Sequence, residues 1–111
     1  VKVFFDHNVP RKLRRLLNGH YVRIALEMGW AGLRNGDLLR AAEDAGFEVM
    51  VTADQDLRYQ QTLSGRKLAL VVLSTNNWNI IQQDTYPIGD AVNAATPGSF
   101  QTVTIPPIKQ Q

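Results

Sequence analysis

Leu68-Ala69-Leu70-Val71-Val72-Leu73 is the most continuous apolar run in the chain. A strand that is apolar at every successive position is buried on both faces, which is the habit of a parallel sheet covered by helices. Upstream, Phe47, Val49, Met50 and Val51 form a second apolar run that stops at Thr52-Ala53-Asp54-Gln55-Asp56, and Val1, Val3, Phe4 and Phe5 form a third that stops at Asp6. Both of these runs end where carboxylates begin. If the two strands are parallel neighbours, their carboxyl ends lie about 5 Å apart, and Asp6, Asp54 and Asp56 converge. Crowded carboxylates repel, so one keeps a proton or a hard divalent cation sits among them. The pattern therefore points to a metal-dependent site.

Around these three strands the remaining elements alternate. Pro10 opens a helix running to about Leu17, with Leu13, Leu16 and Leu17 as its core face and Asn18-Gly19 as its stop. Residues 21–24 read as a short strand. Asn35 is the N-cap of a helix that carries Leu38, Leu39, Ala41, Ala42 and Ala45 and ends at Gly46. Residues 54–64 read as a loop turning into a short helix, 78–95 as a helical stretch interrupted near Pro87, and 100–105 as an edge strand ended by Pro106-Pro107. The alternation of strand and helix predicts an α/β three-layer sandwich around an open, mainly parallel sheet of about five strands in the order 2-1-3-4-5. In that order the strands ending at Phe5 and Val51 flank the topological switch point, where open α/β sheets put their ligands.

At 111 residues, 44% hydrophobic and 20% charged, the chain is expected to form one domain over residues 1–111 with a frayed tail at 106–111. Cysteine is absent, so neither a disulfide framework nor a thiolate metal site can exist and any metal is held by oxygen or imidazole. No apolar stretch reaches the roughly 20 residues that span a bilayer, and the N-terminal sequence lacks the order of a signal peptide. A cytoplasmic protein with no membrane partner is the expectation. The formal charge is only +2, yet Arg11, Lys12, Arg14 and Arg15 put four of the 12 Lys and Arg residues just downstream of Asp6. A basic cluster beside an acidic pocket suits a polyanion whose phosphates are held while a metal works on one of them; a solvated helix face is the plainer reading.

Of the candidate residues, Asp6 is the strongest, because Asn8 can cap the following helix without it. Asp54 and Asp56 face one side if the intervening stretch stays extended, and Thr52 can orient a carboxylate through its hydroxyl. Asp37 sits in a first helical turn, where the macrodipole favours negative charge, and is equally a metal or catalytic candidate. Asn35 is a neutral oxygen ligand or simply the cap. His7 borders the site and is a phosphate-binding candidate; His20 has no partner at ligand spacing. The chain has neither a phosphate-cradling glycine loop nor a serine in a nucleophile-elbow context.

Phe4-Phe5-Asp6-His7-Asn8-Val9-Pro10, taken with Val51-Thr52-Ala53-Asp54-Gln55-Asp56-Leu57, resembles the small single-domain bacterial members of the PIN-like superfamily, over about residues 1–75. The resemblance implies a Mg²⁺ or Mn²⁺ dependent ribonuclease, often the toxin of a toxin–antitoxin pair. Asp6 matches the family's first acidic position, and Asp54 and Asp56 match its T-x-D-x-D motif. The helix-start acid falls on Asn35, with Asp37 two residues beyond, and Leu57 stands where Phe is usual. On this likeness the carboxylates fix one or two metals that activate water for RNA hydrolysis, while Arg11, Lys12, Arg14 and Arg15 hold the RNA backbone. RNA, an antitoxin protein and a second copy meeting at the edges near Tyr21 or Phe100 are the implied partners. Two rivals stand beside it. An inert PIN-like module that binds RNA or protein is motivated by Asn35. A phospho-acceptor receiver domain lacks its acidic pair on the first strand and its lysine after the last.

Overall fold

The structure, a computed structural model, describes residues 1–56 and 66–106, the side chain of Asn35 excepted. Five strands form one all-parallel sheet: β1 (Lys2–Phe5), β2 (Tyr21–Ile24), β3 (Val49–Thr52), β4 (Ala69–Leu73) and β5 (Phe100–Val103), in the spatial order β2-β1-β3-β4-β5. The chain steps from β1 outward to β2, then returns to lay β3 on the other side of β1. This reversal is the switch point that the sequence order anticipates. Register is set by apolar pairs, Val3 with Val49, Phe4 with Met50 and Phe5 with Val51.

Strand alternation divides the core into two layers. On one face Val3, Phe5, Val49, Val51, Ala69, Val71 and Leu73 meet Leu13 and Leu17 and two C-terminal helices, α3 (Trp78–Ile81) and α4 (Tyr86–Ala94), through Ile81, Ile88 and Val92. On the other, Phe4, Met50 and Leu70 meet α1 (Ala25–Met28) and α2 (Asn35–Asp44) through Ala25, Leu38, Leu39 and Ala42. Each fully buried large apolar side chain contributes about 1.5–3 kcal/mol, so the two layers hold the sheet from both sides.

Several local expectations are corrected. Residues Arg11–Leu16 form a 3-10 helix preceded by Pro10, not an α-helix to Leu17. Its bonds run three residues back, Leu13 N–H to Pro10 O and Leu17 N–H to Arg14 O. Only Leu13 within the segment is buried. Leu16 is 45% exposed rather than part of the core. The cap of α2 is Arg34, with Asn35 its first helical residue. That helix ends in a paired-bond stop, Phe47 N–H to Ala42 O and Gly46 N–H to Glu43 O, with Gly46 at φ +85°. Phe47 belongs to this stop, which is why β3 starts only at Val49. The break in the 78–95 stretch lies ahead of Pro87, which sits in the first turn of α4. The expected short helix before Gly65 and the frayed tail beyond Pro106 fall outside the described residues. Among the described residues no helix is long and apolar enough to cross a membrane.

Candidate active-site cleft

At the carboxyl ends of β1 and β3 the loops diverge and open a cleft of about 380 Å³, lined by Asp6, His7, Asn8, Ala31, Arg34, Leu38, Met50 and Asp54. Alternation explains its location. Asp6 follows Phe4 by two, and Thr52 follows Met50 by two, so both polar side chains project on the α2 side of the sheet just beyond its apolar layer.

The cleft is built around one buried hydroxyl. Thr52 is fully buried; its Oγ1 donates to Asp6 Oδ2 at 2.7 Å and accepts from Asp54 N–H at 3.0 Å. The other oxygen of Asp6 accepts from His7 N–H at 2.7 Å. Its backbone N–H donates to Val51 O at 2.9 Å, continuing the β1–β3 ladder one residue further. Asn8 Oδ1 accepts from Ala53 N–H at 3.0 Å, tying the loop after β1 to the loop after β3. Asp6 thus approaches the cleft with both oxygens oriented and one lone pair on each still available.

Asp56 is placed differently. Its backbone N–H donates to Asp54 Oδ1 at 3.1 Å, a turn in which the side chain of Asp54 imitates a backbone carbonyl. Residues 54–56 are therefore not extended, and Asp56 is exposed and does not line the cleft. Asp37 is exposed too, 3.5 Å from Arg40 on its own helix. Among the described residues, no group of three or more His, Asp or Glu side chains is arranged to hold a metal. The structure brings Asp6 and Asp54 to one cleft and leaves Asp56 and Asp37 off its lining.

The basic residues also redistribute. Arg14 Nη1 bonds Glu27 Oε1 at 2.7 Å, and Arg14 together with the N–H of Ile24 holds the Glu27 carboxyl below its ordinary range. Arg11, Lys12 and Arg15 are exposed, and none lines the cleft. Among the described residues the arginine that does is Arg34, which sequence reasoning missed. A lone arginine ahead of a helix carries no periodic signal, although its place beside Asn35 at a helix start near the site was visible.

His7 has a defined role. Its Nε2 lies 2.9 Å from Leu33 O, a carbonyl that can only accept, so Nε2 carries the hydrogen. The 3.4 Å approach of Arg34 Nη1 to the same nitrogen is then a contact between two donors, not a hydrogen bond. His20 bridges the N-terminal amine and Asn93 Oδ1, at 3.1 and 2.8 Å, a structural link away from the cleft.

As donors, two carboxylates in a cleft with an imidazole neighbour suit a hard cation that keeps most of its water, rather than a cation needing a full cage of protein oxygens. No family model, curated protein or solved structure matches the chain.

Proposed function

We propose that this chain is a PIN-like, Mg²⁺ or Mn²⁺ dependent ribonuclease. The observation that carries the reading is the convergence of Asp6 and Asp54 on one cleft at the sheet's switch point, both joined to the hydroxyl of Thr52. Asp6 and Asp54 would hold the cation; one or two carboxylates are the usual protein share of a Mg²⁺ shell, with water and substrate phosphate supplying the rest. Such a cation supplies Lewis acidity and a more acidic water. The chain's own contribution is orientation. Thr52 and the His7 N–H fix both oxygens of Asp6, Asn8 fixes the spacing of the two loops, and Leu38 and Met50 form the apolar floor. RNA is the partner for which this chemistry argues.

The inert binding module is the second reading, favoured by the lining of the cleft by two carboxylates rather than four. Calorimetric titration of Mn²⁺ into the wild type and Asp6→Asn separates the two. The ribonuclease reading expects a saturable heat from the wild type that Asp6→Asn loses. Absence of heat from both proteins sinks it and leaves the inert module.

A further inference from the structure

A diester phosphate entering a cleft with two carboxylates meets like charge, and a bound cation offsets only part of it. Among the described residues, the one arginine or lysine on the lining is Arg34. We infer that Arg34 is the phosphate-binding residue of this cleft, gripping a backbone phosphate of single-stranded RNA through its Nε–Nη2 edge; the inference rests on the ribonuclease reading and deepens it.

The guanidinium is held rather than free. Nη1 donates to Ala31 O at 3.0 Å and to Leu33 O at 3.1 Å, and Leu33 O is also the acceptor of His7 Nε2. The turn that supplies these carbonyls is itself anchored. Trp30 N–H bonds Ala25 O at 2.9 Å, Leu33 N–H bonds Trp30 O at 2.9 Å, and the Trp30 ring lies 5.3 Å from Phe4 and 6.0 Å from Phe47. Every hydrogen bond of Arg34 to the described residues runs through Nη1. The Nε–Nη2 edge keeps two parallel N–H donors, the fork that matches two oxygens of one phosphate. Lysine in the same place would keep the charge and lose the fork.

The basic cluster first expected to hold RNA is less suited to this task. Arg14 is committed to Glu27, and Arg11, Lys12 and Arg15 do not reach the lining. They remain available to a strand that continues past the cleft.

The test is fluorescence-anisotropy binding of labelled single-stranded RNA, with metal chelated, over a series of salt concentrations. It compares the wild type, Arg34→Ala, Arg34→Lys and Arg40→Ala, the last removing one charge from α2 outside the cleft. Far-UV circular dichroism and melting establish that each variant is folded. Arg34→Ala is expected to bind about tenfold more weakly and to lose about 0.7 from the slope of log affinity against log salt, one phosphate contact on a single strand. Arg34→Lys restores the slope but not the full affinity, and Arg40→Ala changes neither. Equal affinity and slope for the wild type and Arg34→Ala overturn the assignment, as does a wild type that binds no RNA. If the Arg34 effect holds while the wild type cleaves nothing in Mn²⁺, Arg34 stands and the ribonuclease reading fails.

Discussion

Thr52 Oγ1 donates to Asp6 Oδ2 at 2.7 Å across the β1–β3 pair while accepting the N–H of Asp54 at 3.0 Å. One hydroxyl thus fixes the relation between the two acids of the cleft. It does so where no water can replace it, since Thr52 is fully buried.

Thr52→Val keeps the shape and deletes both bonds. A bond to a charged acceptor is lost, and the Asp54 N–H is left without its acceptor, so unfolding in urea is expected to show a loss of about 1–3 kcal/mol. Thr52→Ser, which keeps the oxygen, should recover most of it. A valine variant as stable as the wild type would mean that the hydroxyl does not order the site.

Phe4 has no exposed surface and its ring lies 5.3 and 5.5 Å from those of Trp30 and Phe47. Phe4→Ala is expected to cost about 3–5 kcal/mol. Because Trp30 anchors the turn that holds Arg34, the same variant should also weaken RNA binding under conditions where it remains folded. Measured stability within 1 kcal/mol of wild type, on the order of a surface substitution, would contradict this packing.

Glu43 accepts the N–H groups of Lys67 and Leu68, at 2.7 and 3.2 Å, where the chain enters β4. These two bonds, that of Leu68 foremost, hold its carboxyl below the ordinary value of 4.5. A folded-state value below the unfolded one means that the stabilisation is present above the ordinary value and is lost as pH falls through the lowered one. Melting of the wild type should therefore drop more steeply on acidification below about pH 4.5 than that of Glu43→Gln, which has no charge to lose. The side chain is half-buried and still reached by solvent, so the difference is small. Parallel acid limbs for the two proteins would refute the role of Glu43.

The sheet order was legible because the three apolar runs carry their burial in their composition. Residues 68–73 read as a strand buried on both faces, and the runs ending at Phe5 and Val51 place carboxylates at neighbouring strand ends. What escaped depends on local hydrogen bonding that spacing does not encode. Asp54 and Asp56 share a side only in extended chain, and the Asp56 N–H turns onto Asp54 Oδ1 instead. Arg11–Leu16 forms a 3-10 helix with Leu16 exposed, a tighter winding that the leucine spacing does not reveal. Arg34 enters the cleft through contacts with Ala31 and Leu33, residues that form no recognisable motif.

Cleavage of single-stranded RNA in Mn²⁺ by the wild type and Asp54→Asn, purified side by side with Asp6→Asn to expose any contaminating nuclease, tests the central claim most directly. The wild type should cut, and both variants should lose more than about 100-fold, beyond the 10–100-fold typical of a residue acting only behind a metal ligand. Their folds should be intact, since each removes a charge from an acidic cleft. Equal cleavage by all three proteins, or none by the wild type, would contradict the assignment of Asp6 and Asp54 to one hydrolytic site.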